Sequence, residues 1–336
     1  MNPRDVIDGT ELGADGVLAL AQRALDLRGG AAPLRFPGKR VISVFLNPSL
    51  RTRTSLEAAA QNLGMHSVVL HPGSDAWKME HRAGAVMDAD ATEHMADGVP
   101  ALEEYGDVLA VRAFAKLEDR EEDRRDPVIS AFRRYAKRPV VNLESALWHP
   151  LQSFADAATW MAHLGPDLRG RKLALTWAPH PKALPMAVPN QVLLTAALVG
   201  MDVTVAHPEG MDLDPAIVDR AATLAAESGG GVRVVHEQAL EGAEVVVAKS
   251  WSGWSGYGRR EEEARARAAL RSGTVTADKL PPDAGLMHCL PVRRNVEVDD
   301  AALDGPRSWT TETAGLRLWT AMACLEAVMG ERSWTA

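Results

Sequence analysis

The sequence predicts an α/β protein of two domains, each a parallel sheet flanked by helices, with a final helix that returns to the first domain. Three observations carry this. Short valine- and leucine-rich runs alternate with longer helical patterns along the 336 residues, which is the rhythm of parallel α/β sheets. Several runs are apolar at successive positions, as strands covered on both faces tend to be. The length gives room for two cores of ordinary size.

The expected strands in the first half are Val41–Leu46, Ser67–Leu70, Val108–Ala113 and Val140–Leu143. In the second half they are Lys172–Trp177, Asp202–Ala206, Val232–His236, Glu244–Ala248 and Gly285–Leu290. Helical spacing runs through Ser55–Leu63, Pro189–Val199, Pro215–Glu227 and Arg260–Arg271. The boundary is expected near His149–Pro150, with a helix over Leu151–Leu164 bridging the two sheets. That divides the chain into 1–149, 150–312 and a C-terminal helical segment, 313–336. The stretches Lys116–Arg125 and Arg259–Arg267 mix both charge signs and read as solvated helix faces.

Composition narrows the function. Apolar residues make up 46% and charged residues 24%, as in ordinary globular proteins. A net charge of -8 argues against nucleic-acid binding, which needs a basic face to displace counterions. A site for an anionic substrate must then be assembled locally from arginines. Two cysteines, Cys289 and Cys324, make no disulfide framework and point to a reducing compartment. Asp5, Asp8, Glu11 and Asp15 near the N-terminus argue against a secretory signal. No apolar run reaches membrane-spanning length, so a cytoplasmic protein without membrane partners is expected.

The most informative segment is Phe45-Leu46-Asn47-Pro48-Ser49-Leu50-Arg51-Thr52-Arg53-Thr54, between a strand and a helical pattern. A helix starting here aims unpaired backbone N–H groups and the Ser49 and Thr52 hydroxyls at one spot, an arrangement that holds phosphate. Arg51 adds a fork for two phosphate oxygens. Arg53 lies about 200° further round the helix and should face elsewhere. An ordinary capped helix with two surface arginines fits the same spacing, since no glycine-rich cradle accompanies it.

Ser49-Leu50-Arg51-Thr52-Arg53 resembles the carbamoyl-phosphate loop of the transcarbamylases, the aspartate/ornithine carbamoyltransferase family. His149-Pro150-Leu151-Gln152 looks like that family's carbamoyl-binding motif, and His288-Cys289-Leu290-Pro291 like the motif of its ornithine-type members. The three occur in the family's order at expected strand ends. The resemblance implies that Ser49, Leu50 and Arg51 hold the phosphate, and that Thr52, Arg112 and His149 surround the carbonyl oxygen. Gln152 would hold the carbamoyl NH2, and the Cys289–Leu290 backbone would lie near the reacting amine. Carbamoyl transfer needs a neutral amine, drawn from a group of solution pKa about 10, and donors for a tetrahedral oxyanion. No cofactor, metal or covalent enzyme intermediate is required. Without the resemblance, Arg112 reads as a strand-end or surface arginine, His149 as a helix-start histidine and Cys289 as a small core residue.

Where ornithine-type members carry an aspartate for a free α-amino group, this chain reads Val247-Ala248-Lys249-Ser250-Trp251-Ser252-Gly253-Trp254. Lys249 would repel an α-ammonium and attract an α-carboxylate, which suits an N-acylated ornithine. The resemblance is closest to the subgroup acting on N-acetylornithine, through Asp75-Ala76-Trp77, Val111-Arg112-Ala113-Phe114, Leu175-Thr176-Trp177, His180-Pro181-Lys182 and Lys249-Ser250-Trp251. It implies that Trp77 reaches a neighbouring subunit's site in a homotrimer, that Glu144 contacts the acylated amino acid, and that Arg317 serves the carbamoyl-phosphate side. It also implies a place in arginine biosynthesis. Acetyl-specific members carry a glutamate in the loop reaching the acyl pocket, where counting places Thr92, so N-succinylornithine stays open as the acceptor. Glu93 beside it complicates that distinction.

Three other readings fit the sequence less well. Gly253, Gly256 and Gly258 after a strand superficially suggest a nucleotide loop, but the spacing is neither a dinucleotide fingerprint nor a Walker loop. A mobile substrate-closing loop fits them better. A zinc site from His149, His180, His288 and Cys289 lacks paired ligand spacing, and adjacent strand residues would point apart. A non-catalytic small-molecule sensor needs none of the oxyanion donors.

Overall fold

The computed structural model describes residues 4–330. In chain order its elements are α1 (Gly13–Arg28), β1 (Arg40–Phe45), α2 (Arg51–Asn62), β2 (His66–Leu70), β3 (Met79–Glu80), β4 (Glu93–His94), α3 (Met95–Tyr105), β5 (Val108–Arg112), α4 (Arg120–Arg124), α5 (Pro127–Tyr135) and β6 (Val140–Glu144). There follow α6 (Pro150–Leu164), β7 (Lys172–Trp177), α7 (Ala187–Leu198), β8 (Asp202–Ala206), α8 (Pro215–Ser228), β9 (Gly231–Val235), β10 (Val245–Lys249), α9 (Arg260–Ala269), β11 (Gly285–Met287), α10 (Asp300–Leu303) and α11 (Thr310–Met329).

Two parallel sheets result. The first has strand order β2-β1-β5-β6 and the second β11-β10-β7-β8-β9. The strand order reverses between β1 and β5 in one sheet and between β7 and β10 in the other. Open α/β sheets bind ligands outside the carboxyl ends of strands at such reversals. Strands β5, β6 and β10 are buried at every position, which explains their largely apolar sequence.

Helix α6 begins with Pro150 at its first turn, where a missing N–H is harmless. Its residues from Pro150 to Met161 are all buried. It packs on α1, α7 and α11, and α11 also packs on α1 and α2, so the last helix returns to the first sheet's layer as expected. One buried cluster runs through Leu56, Phe154, Trp160, Leu193, Trp251 and Leu316, linking both sheets. Residues 331–336 of the expected C-terminal segment, and 1–3 of the first domain, lie outside the described residues.

Several sequence expectations shift. The strand expected over 285–290 ends at Met287, where its pairing with Val247 stops. Leu290 adopts φ +52° before a cis Pro291, and the His288 Nδ1 accepts the Leu290 N–H at 2.9 Å. His288 and Cys289 therefore belong to a turn rather than to alternating strand positions. In the charged stretch 116–125 only Arg120–Arg124 is helical. Helices α1, α3, α5 and α10 and the short β3–β4 pair lie outside the sequence expectations.

Candidate active site

The carboxyl ends of both sheets face one cavity of about 320 Å³. Its lining includes Ser49, Arg51, Thr52, Arg112, Glu144, His149, Gln152, Lys249, Cys289, Leu290 and Arg317. After β1 the chain turns, and Asn47 Oδ1 accepts the Phe114 N–H at 2.7 Å, tying this turn to the one after β5. Ser49 Oγ accepts the Thr52 N–H at 3.2 Å and so caps α2. Arg51 faces the cavity, while Arg53 faces solvent and pairs with Glu57 at 2.8 Å. Leu50 is 77% exposed and does not line the cavity.

Thr52 is the point where distant segments meet. Its Oγ1 accepts from Arg317 Nη2 at 2.7 Å and lies 3.4 Å from Arg112 Nη1. With its lone pairs engaged by two guanidinium groups, the hydroxyl's one hydrogen is left to donate. Arg112 also forms an ion pair with Glu144 and lies 4.3 Å over the Phe114 ring. The Nε atoms of Arg51, Arg112 and Arg317 are buried without hydrogen-bond partners.

This concentration of cations shows in the titration of its members. Burial lowers Arg51, and it lowers Arg317 to about 10. Burial pushes the Glu144 carboxyl up, and Arg112 and Arg317 oppose that. His149 is held well below the usual histidine range by burial and by Arg317, Arg112 and Arg51. Its imidazole is neutral, with Nε2 3.3 Å from Glu144 Oε2. Burial raises the Cys289 thiol, which disfavours a thiolate. Two buried arginines, Arg112 and Arg317, on a polarised hydroxyl, with the half-buried Arg51 on the same cavity, can bind a doubly charged phosphate and stabilise an oxyanion.

Lys249 ends β10, is 8% exposed and also lines the cavity. Among the described residues its ammonium makes no hydrogen bond or ion pair. Opposite it, His288 Nε2 lies 3.4 Å from Glu297 Oε1, and Glu297 Oε2 accepts the Arg293 N–H at 2.7 Å.

Besides Leu50, two candidates stand apart. Trp77 is 59% exposed and donates its indole N–H to Glu93 Oε2 at 2.7 Å. Thr92 is exposed, with its N–H on Lys78 O at 3.0 Å. Neither lines this cavity. Sequence reasoning missed Asp156, whose Oδ1 accepts from Gln152 Nε2 at 2.9 Å. The available signal was a lone acid inside an apolar helix, four residues after a glutamine. Among the described residues no group of three or more His, Cys, Asp or Glu side chains is arranged to hold a metal ion.

Two family models match. The carbamoyl-P binding domain of aspartate/ornithine carbamoyltransferase matches residues 4–162, and the Asp/Orn binding domain matches residues 186–328. The chain is 43% identical over 300 residues to the N-acetylornithine carbamoyltransferase of Xanthomonas campestris pv. campestris, covering 88% of each chain. It is 37% identical over 295 residues to the N-succinylornithine carbamoyltransferase of Bacteroides fragilis, covering 87% of each. A crystal structure of acetylornithine transcarbamylase complexed with acetylcitrulline superimposes with TM-score 0.94 at 40% identity, over 97% of this chain and 99% of that one. With both domain models matched in order across two parallel sheets that share one arginine-lined cavity, the chain belongs to the aspartate/ornithine carbamoyltransferase family.

Proposed function

We propose that this enzyme transfers the carbamoyl group of carbamoyl phosphate to the side-chain amine of N-acetyl-L-ornithine, giving N-acetyl-L-citrulline and phosphate. The observation that carries the donor half is the meeting of Arg51, Arg112 and Arg317 beside Thr52. In this reading Ser49, the Leu50 backbone and Arg51 hold the phosphate. Thr52, Arg112 and His149 donate to the carbonyl oxygen, and Gln152 takes the NH2. The neutral amine attacks the carbonyl carbon, the charge built up on oxygen meets these donors, and phosphate leaves with its charge matched by the arginines. Lys249 carries the acceptor half: a buried ammonium at the cavity wall suits an α-carboxylate and disfavours a free α-ammonium.

A second acceptor, N-succinyl-L-ornithine, is supported by one residue. By the resemblance, uncharged Thr92 falls in the loop where acetyl-specific members carry a glutamate that would repel a second carboxylate, and the neighbouring Glu93 carboxylate is engaged by Trp77. In keeping with this, a relative of 41% identity is known as a variant lacking one glutamate, bound to carbamyl phosphate and N-succinyl-L-norvaline. The reading further includes a cytoplasmic homotrimer in arginine biosynthesis, with Trp77 entering a neighbouring subunit's site. Its exposure, with that of Val86 at 77% and Met87 at 42%, supports a covered face. No described helix is long and apolar enough to cross a membrane.

The test is an acceptor panel with carbamoyl phosphate: ornithine, N-acetylornithine, N-succinylornithine and aspartate, scored by ureido product. N-acetylornithine should turn over fastest. Turnover of free ornithine above both acylated forms overturns the acceptor assignment, and no turnover of any acceptor overturns the whole reading.

A further inference from the structure

We infer that Asp156 fixes the orientation of the Gln152 amide, and that this makes the site select a carbamoyl NH2 over an isosteric methyl group. The inference rests on the cavity being the carbamoyl-phosphate site. Gln152 and Asp156 lie one turn apart on α6, 2% and 4% exposed. Gln152 Nε2 donates to Asp156 Oδ1 at 2.9 Å. Its Oε1 is buried and has no hydrogen-bond partner.

An amide's oxygen and nitrogen are distinguished by the groups around them, and here the neighbour decides. At pH 8 and above, past the value of about 7 to which burial raises it, the Asp156 carboxylate is ionised and only accepts, so it holds Nε2 against itself and leaves Oε1 on the other side. Reversing the amide would set oxygen against oxygen. It would also turn an N–H toward a cavity already crowded with the donors of Arg51, Arg112 and Arg317. Asp156 lies behind Gln152 rather than in the lining, and the acidic side chain that does line this cavity, Glu144, is engaged by Arg112. Gln152 Oε1 is thus a buried acceptor in donor-rich surroundings, and a ligand NH2 completes it. A methyl in the same place would leave both Oε1 and its surroundings unsatisfied, which is the situation in which protein sites discriminate strongly between isosteres. Asp156 touches no substrate atom in this scheme and acts through Gln152 as a positioning residue.

A stable ligand pair isolates this effect: phosphonoacetamide, with an NH2 on the carbonyl, and acetonylphosphonate, with a methyl there. Calorimetric titration at pH 8.5, where Asp156 is ionised, gives the ratio of their dissociation constants for each variant. Wild type should prefer phosphonoacetamide. Asp156→Asn, which can pair with the amide in either orientation, should narrow the ratio about fivefold or more, chiefly through weaker phosphonoacetamide binding. In a Gln152→Leu background the same substitution should change the ratio no further, because the group it orients is gone. A ratio within about twofold of wild type in Asp156→Asn, or an equal drop with and without Gln152→Leu, overturns the inference. Asp156→Ser, smaller and equally unable to impose one orientation, carries the same expectation should the asparagine variant not fold. If neither ligand binds wild type, the carbamoyl-phosphate reading itself has failed, a result distinct from a failure of the Asp156 role.

Discussion

Arg51→Ala separates binding from folding more cleanly than any other substitution in the cavity. Arg51 makes no hydrogen bond to the protein among the described residues, and its Nε is buried without a partner. Burial, followed among the unfavourable influences by the Arg112 charge, lowers its pKa. The folded chain therefore gains little from this guanidinium, and removing it relieves repulsion near Arg112. A ligand phosphate gains much more. One charge-assisted hydrogen bond contributes about 1.5–3 kcal/mol, so loss of a two-pronged contact should weaken binding by about 3 kcal/mol. That corresponds to roughly a 100-fold rise in dissociation constant. Titration with phosphonoacetamide reads the affinity, and thermal unfolding without ligand reads the fold. The expected result is the 100-fold loss with an unchanged or slightly higher melting temperature. Affinity within threefold of wild type would refute the placement of phosphate at Arg51. A lower melting temperature would show that Arg51 is part of the scaffold.

Lys249→Met should raise KM for the acylated ornithine at least tenfold while leaving phosphonoacetamide affinity unchanged; equal effects on both ligands would remove Lys249 from the acceptor side. Burial raises Asp156 from 3.8 to about 7. A carboxyl raised on folding contributes stability that is complete below its unfolded value and is lost as pH rises through its folded value. Relative to wild type, Asp156→Asn should therefore gain about 3 kcal/mol of stability between pH 5 and pH 8, from roughly two pH units at about 1.4 kcal/mol each. Urea unfolding of both proteins at the two pH values measures this, and a difference that does not change with pH contradicts it. Tyr257 donates to Asp123 Oδ2 at 2.7 Å, tying the loop after β10 to the chain beside the first sheet. Tyr257→Phe should speed amide exchange across 250–258 and raise the acceptor KM, whereas unchanged exchange would show that the tie does not hold the loop.

Sequence by itself determined the alternation of strands and helices, because unbroken apolar runs and helical spacing are local signals that burial on both faces imposes. It also exposed the three motifs at 49–53, 149–152 and 288–291, and it marked Lys249, since residue type and strand-end position are readable without a fold. What it could not show is which side chains meet. Arg317 lies 265 residues from Thr52, yet it holds that hydroxyl at 2.7 Å because α11 returns to pack on α2. Glu144 reads as a contact for substrate, but the shared sheet edge also brings it to Arg112 and His149. Asp156 reads as one acid in a helix, and only the burial of α6 makes it the group that aims Gln152. Residues 288–290 read as the end of a strand, since nothing local says that pairing stops at Met287. Local patterns set the elements and the chemical inventory, whereas packing between segments far apart in the chain decided the orientation and charge of the groups at the site.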